Sequence, residues 1–235
     1  DSMDPLRRVY DFLSYEYEEY IGFPLAYIPA PDSEGKPSGS DISYAEYFLK
    51  PFLESLELIG VNPEVVMNHE SYENGEFAEY IDLAIKNKEE IRNTIQKISG
   101  RELPKEWFPY SPIGSDGSLD GVIVTGYENP YVYWTDEQGV DGKSDIRKGE
   151  GKMPWRIDWA SRWIMHGITC EPAGKDHGAA GGSYDTGIPI CKILGGDPPD
   201  KVVYEWIQLK GMGPMSSSSG VTIGPMEALS LVPPE

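Results

Sequence analysis

Cysteine is nearly missing from this chain: Cys170 and Cys191 are the only two among 235 residues. That count excludes a disulfide scaffold and suits a reducing, cytoplasmic setting. Long apolar runs are missing as well. None approaches the roughly 18 residues that span a bilayer, so no membrane segment is expected. The opening Asp1-Ser2-Met3-Asp4 is polar and acidic, unlike a signal peptide. Positive charge is scarce, with 20 Lys and Arg against 39 Asp and Glu and a net charge of -19. Partners rich in phosphate are held by Lys and Arg. The acidity therefore belongs to an acidic proteome, or leaves a basic part outside this chain, or excludes RNA altogether. What is present, 39% hydrophobic residues, supplies one sizeable core or two small ones.

Local signals divide the chain into residues 1–103, 104–150 and 151–235. Residues Pro5 to Tyr20 read as helical, and the Pro, Asp, Ser and Gly of 31–40 as a loop. Ser43 with Glu46 three residues on forms a capping-box signature. Tyr44, Phe48, Phe52 and Leu56 then recur every four residues as one apolar face, with a kink expected at Pro51 and a glycine cap at Gly60. Glu64 to Asn68 reads as a short buried strand, with His69 structural or solvent-facing at its end. Phe77 to Ile98 carries a helical stripe that stops at Gly100. Within 104–150, Gly121–Thr125 and Tyr131–Thr135 are strand-like around a turn at Glu128-Asn129-Pro130. That small β insertion is expected to pack through Val122, Val124, Tyr131 and Tyr133.

Residues Lys152 to Gly220 hold most of the chemical signal. A helix is expected over Asp158–His166, with Trp159, Trp163 and Ile164 buried and Trp155 outside it. A strand follows at Ile168–Glu171. A helix within Gly178–Leu194 is broken at Gly181-Gly182 and ends near Pro189 or Gly195. Then come a strand at Val202–Leu209, a flexible loop at Lys210–Gly220 and a short helix at Pro225–Leu231. Ser216–Ser219 is the only low-complexity run. Strand ends that open into glycine loops are where α/β sheets place ligands.

Five blocks in this region carry a family resemblance: Pro154-Trp155-Arg156-Ile157-Asp158-Trp159, Gly174-Lys175-Asp176-His177, Gly181-Gly182-Ser183-Tyr184-Asp185-Thr186-Gly187, Tyr204-Glu205-Trp206 and Pro214-Met215-Ser216-Ser217-Ser218. In that order and spacing they resemble the catalytic domain of the archaeal-type class I lysyl-tRNA synthetases. The resemblance extends more weakly to Ser2–Arg7 and Ile42–Glu46. It implies an α/β, Rossmann-like catalytic domain with a small β insertion. It also implies use of ATP with Mg²⁺, and lysine and tRNA(Lys) as partners.

By the same resemblance Trp155, His177 and Tyr204 form the lysine pocket. An indole face suits the aliphatic stem and ammonium group of lysine. Against this, Trp155, Trp159 and Trp163 are spaced by four, which also fits a single core stripe. Gly174, Asp176, Gly182, Ser183 and Asp185 are expected near the adenylate. Met215, Ser216, Ser217 and Ser218 belong to the loop over the leaving pyrophosphate. There the family has Lys-Met-Ser-Ser-Ser-Lys-Gly, and this chain puts Pro214 and Ser219 in place of the two lysines. Removing one charge-stabilising donor of that kind typically costs about 10²–10³ in rate. The family's insertion carries paired Cys-x-x-Cys zinc knuckles. Gly114, Gly117, Thr135 and Gln138 stand at the corresponding places, so no zinc is expected. The resemblance puts the HIGH-type ATP signature before Asp1 and anticodon-binding helices after Glu235. The expectation is a catalytic-domain segment of a lysine–tRNA ligase, truncated or degenerate. The alternative is a non-catalytic relative that keeps a lysine or adenylate pocket.

Overall fold

Ser43 starts the first helix as its sequence context requires. Its hydroxyl accepts from the Glu46 amide at 3.2 Å, and the Glu46 carboxylate accepts from the Ser43 amide at 2.7 Å. The computed structural model describes residues 1–206, 208–209, 211, 213–215 and 223–231. In chain order the helices are α1 (Tyr44–Leu58), α2 (Asn68–Glu73), α3 (Ala78–Lys86), α4 (Lys88–Ser99), α5 (Trp155–Met165), α6 (Lys175–Gly178), α7 (Ser183–Ile193) and α8 (Pro225–Leu231). The strands are β1 (Ser111–Pro112), β2 (Ile123–Glu128), β3 (Tyr131–Thr135), β4 (Asp141–Asp145), β5 (Gly151–Lys152), β6 (Cys170–Gly174), β7 (Asp200–Tyr204), β8 (Gln208–Leu209) and β9 (Gly213–Pro214). This is a mixed α/β chain. It divides into one unit of residues 1–68 with 206–235 and another of residues 69–205.

In the first unit, Leu6, Leu13, Tyr17, Ile28 and Tyr44 form the core. The helix expected over Pro5–Tyr20 is reduced to a 3-10 turn at Tyr15–Tyr20. Tyr17 is drawn out of any longer helix because, with its ring buried, its hydroxyl donates to the Pro29 carbonyl at 2.9 Å. Helix α1 continues through Pro51, but its expected apolar face is buried only at Tyr44. Phe48 and Phe52 are 38% and 47% exposed. Phe48 packs instead against neighbouring rings, 4.6 Å from Tyr44 and 5.9 Å from Phe12. The strand expected at Glu64–Asn68 does not form. Among the described residues Val65 and Val66 have no ladder partner and lie 45% and 49% exposed, while Asn68 turns back to Asp1 at 3.0 Å. His69 therefore sits in α2, not at a strand end.

In the second unit the single helix expected over Phe77–Ile98 is two. Asn87 leaves helical geometry at φ −106°, ψ 21°, and its side chain returns to the Leu83 carbonyl at 2.8 Å. Gly100 closes α4 with φ +67°, the left-handed cap that glycine adopts freely. The insertion is a three-stranded antiparallel sheet in the order β2-β3-β4, with β4 unforeseen. On β3 the buried face is the reverse of the expected one, whereas Val124 lies on the inward side opposite Trp134, as expected. Val132 and Trp134 point inward, while Tyr131 and Tyr133 point outward. Trp134 fixes that choice by donating to the Ser144 hydroxyl at 2.9 Å over Gly142, where a Cβ would lie 2.3 Å from the indole.

Strands β6 and β7 pair in parallel, with Gly174 opposite Tyr204. β6 begins and ends later than the expected Ile168–Glu171 strand, and β7 stops at Tyr204. Helix α7 runs on through Pro189, and α5 packs against it. Gly187 makes room for that contact, since a Cβ there would meet Trp163 at 2.5 Å.

Candidate functional site

The site is built on α5, on the β6–α6 connection and on the start of α7, all within the second unit. Pro154 stands at the N-cap of α5, where a missing amide proton does no harm. Trp155 is thus the first residue of the helix, not outside it as expected. The helix sets three indoles in a row. Trp155 and Trp159 stack at 5.2 Å and 20°, and Trp159 meets Trp163 at 5.1 Å. Burial deepens along the row, from half-buried Trp155 to Trp163 at 1% exposure. The core stripe is therefore real, and Trp155 is its outer end. Its Nε1 is buried without a hydrogen-bond partner among the described residues. The Arg162 guanidinium lies 5.1 Å from its ring centroid, so this indole already faces one cation.

His177 closes on that row. Its ring centroid is 5.8 Å from Trp155 and 5.9 Å from Trp159. Nδ1 is 3.3 Å from the Ser183 hydroxyl and Nε2 is 3.5 Å from the Asp176 carboxylate. The structure brings Trp155, His177, Asp176 and Ser183 together, and it adds Trp159, which the stripe reading had assigned to the core alone. Only the fold reveals that Trp159 also has an imidazole against its edge.

Gly174 hinges strand to helix. A Cβ there would stand 2.8 Å from the Asp176 carboxylate and 3.7 Å from the Tyr204 ring. Tyr204, 57% exposed, joins the cluster through that glycine. Among the described residues no ring pair links it to Trp155 or His177. Gly182 is pressed more tightly: a Cβ would be 2.4 Å from the His177 carbonyl and 2.7 Å from that of Ala179. Arg156 holds this glycine from the α5 side, donating to its carbonyl at 3.0 Å and to the Thr186 hydroxyl at 2.5 Å. Asp185 is engaged within the same loop, accepting from the Gly181 amide at 3.0 Å and facing Lys201 at 3.4 Å. The loop thus presents the start of α7, with Ser183 as its first residue, beside the imidazole. Such a helix start attracts anions.

The acidic neighbours are committed elsewhere. Asp158 is fully buried, pairs with Arg162 at 2.7 Å and accepts from the Tyr72 hydroxyl at 2.6 Å. Glu171 accepts from the Trp163 indole at 2.8 Å, and burial pushes its carboxyl up from the ordinary value. Lys175 pairs with Glu205 at 2.9 Å. Met215 lies half-buried in the first unit, and Ser216, Ser217 and Ser218 fall outside the described residues.

An aromatic row ending in a histidine stands beside a glycine loop at the end of two parallel strands, where α/β sheets present π faces and backbone amides to ligands. All 235 residues match the family described as tRNA synthetases class I (K). The chain belongs to that family. Among its class I synthetase relatives, the lysine–tRNA ligase of Picrophilus torridus is 45% identical over 100% of this chain and 46% of its own length. Those of Archaeoglobus fulgidus and Methanocaldococcus jannaschii are 44% and 42% identical, again over the full chain and over 47% and 44% of their own lengths. This class I synthetase chain thus spans about half the length of the curated relatives it matches. Among its described residues no helix is long and apolar enough to cross a membrane.

Proposed function

We propose that the chain holds lysine and its adenylate as the catalytic-domain part of a lysine–tRNA ligase acting in the cytoplasm. The observation that carries this is the meeting of Trp155 and His177 at 5.8 Å, next to the Gly174 hinge on which Tyr204 lies. The relatives named lysine–tRNA ligase support the same reading. In it the lysine stem lies along the indole row, and Tyr204 borders the pocket from β7. Gly174, Asp176, Gly182 and Ser183 face the adenylate, and Asp185 keeps the loop in shape.

In that reaction the lysine carboxylate attacks the α-phosphate of ATP and pyrophosphate leaves. The lysyl group then passes to a ribose hydroxyl of tRNA(Lys). The protein's share is positioning and stabilisation of developing charge. His177 stands where it can contact the adenylate phosphate or the lysine carboxylate. Mg²⁺ would arrive on the ATP phosphates, since among the described residues no group of three or more His, Cys, Asp or Glu is placed to hold a metal ion. Met215 and Ser216–Ser218 are assigned to the leaving pyrophosphate on the resemblance alone.

Calorimetric titration of the chain with lysine and with a non-hydrolysable lysyl-adenylate analogue, against arginine and ornithine, tests the pocket. Preference for lysine is expected. An equal response to all three amino acids removes the reading. Pro214 and Ser219, in place of two lysines, favour a second reading in which the pocket binds without activating. Lysine-dependent pyrophosphate exchange by this chain is accordingly expected to be weak or absent, and robust exchange would eliminate the second reading.

A further inference from the structure

We infer that the Asp136 carboxylate is the clasp with which the β insertion joins its two turns, in place of a metal ion. The first turn is closed by Gly114 and Ser118, with the Gly114 amide donating to the Ser118 carbonyl at 2.7 Å. The second follows β3, with the Asp136 amide donating to the Val140 carbonyl at 3.1 Å. The Asp136 side chain reaches across both. Oδ1 accepts from the amides of Gln138 at 3.1 Å and Val140 at 2.8 Å, inside its own turn. Oδ2 accepts from the Ser115 amide at 3.2 Å and from the Ser115 hydroxyl, in the first turn.

An ionised carboxylate offers about four lone-pair sites. Four protein donors fill them, two on each oxygen, and Asp136 is only 7% exposed. It cannot ligate a cation without releasing one turn. The neighbouring groups are spent in the same way. Asp116 accepts from the Ser118 amide at 2.9 Å and faces the Gln138 side-chain amide at 3.5 Å. Thr135 donates its hydroxyl to Asp141 at 2.6 Å. Gly114, Gly117, Thr135 and Gln138, the places to which the resemblance assigns the family's zinc cysteines, offer no thiolate or imidazole. The donor set present therefore does not fit zinc, whereas the carboxylate satisfies both turns by itself.

The test uses the whole chain and does not depend on the proposed reaction. Its melting temperature is measured with chelator, zinc and calcium added in turn, and amide hydrogen exchange is followed at Ser115, Gln138 and Val140. No shift with chelator or either metal is expected. In Asp136→Asn one amide oxygen replaces two carboxylate oxygens, so exchange in at least one turn should quicken by about tenfold or more. Ser115→Ala, a milder change that removes only the hydroxyl, should quicken the Ser115 amide more than those of Gln138 and Val140. A melting temperature that rises with zinc or calcium, or falls with chelator, overturns the inference. So does unchanged exchange at all three amides in both variants.

Discussion

Replacing Tyr72 by Phe should destabilise the 69–205 unit through two hydrogen bonds that share one hydroxyl. Tyr72 is 1% exposed and stacks on Phe77 at 4.0 Å, so the ring keeps its packing in the variant. What disappears is a hydroxyl with two roles. It donates to the buried Asp158 carboxylate at 2.6 Å and accepts from the Met153 amide at 2.9 Å, tying α2 to the start of α5. Burial, reinforced by the Asp158 carboxylate, pushes the phenol far above its ordinary value, so it acts as a neutral donor across the usable pH range. A hydrogen bond to a charged acceptor contributes about 1.5–3 kcal/mol, and stranding a buried amide costs about 1–3 kcal/mol. The two share one oxygen and do not simply add, so about 2–4 kcal/mol is expected. With a urea slope of roughly 2 kcal/mol/M, the midpoint should fall by about 1–2 M.

Tryptophan fluorescence is the natural probe. Trp107, Trp134, Trp155, Trp159 and Trp163, five of the six tryptophans, lie in this unit. A double-mutant cycle with Asp158→Asn should shrink the Tyr72→Phe effect, since a neutral amide oxygen is a weaker acceptor than a carboxylate. A loss under about 1 kcal/mol at unchanged slope would refute the reasoning. An equal loss in the Asp158→Asn background would do the same.

Gly182→Ala places a Cβ 2.4 Å from the His177 carbonyl, a backbone atom that can only move away as a unit with its loop. Affinity for a lysyl-adenylate analogue should drop by about tenfold or more, as expected when positioning is lost by about an ångström; undiminished binding by titration would detach this loop from the ligand. Acid should loosen the insertion in a defined window. The Ser115 hydroxyl chiefly holds the Asp136 carboxyl below its ordinary value, and the Arg147 guanidinium chiefly does so for Asp145. Each folded carboxyl thus titrates below its unfolded value of about 4. The stability they confer is complete above that value and is lost as pH falls through the lower, folded one. The melting temperature should stay level from pH 7 to about 5 and fall once pH drops below about 4, less steeply in Asp145→Asn. A fall centred near pH 6 would point to histidine instead.

What could be read in advance follows from the range of each interaction. The Ser43–Glu46 box and the Gly100 cap are local, and sequence shows them directly. The site blocks were legible because their order along the chain is itself a signal. Trp155 was misjudged because Pro154 marks a helix start without saying whether the first turn begins before or after it. Tyr131-Val132-Tyr133-Trp134 is apolar on both faces, so alternation alone could not choose a side. The Trp134–Ser144 contact and the open space at Gly142 made that choice. Val65-Val66 resembles a strand by composition, yet a strand exists only with a partner to pair with. The Asp136 clasp joins residues 21 apart through side-chain oxygens, which no periodicity can announce.

The row of indoles on α5 makes the molecule optically self-reporting. Adjacent rings little more than 5 Å apart can exchange excitation, so light absorbed by the interior Trp163 can pass along the row to half-buried Trp155. A ligand settling beside the His177 imidazole, whose ring centroid lies 5.8 Å and 5.9 Å from two of these indoles, should alter the emission of the series. Occupancy can then be followed without a label, a chromophore or an enzymatic readout.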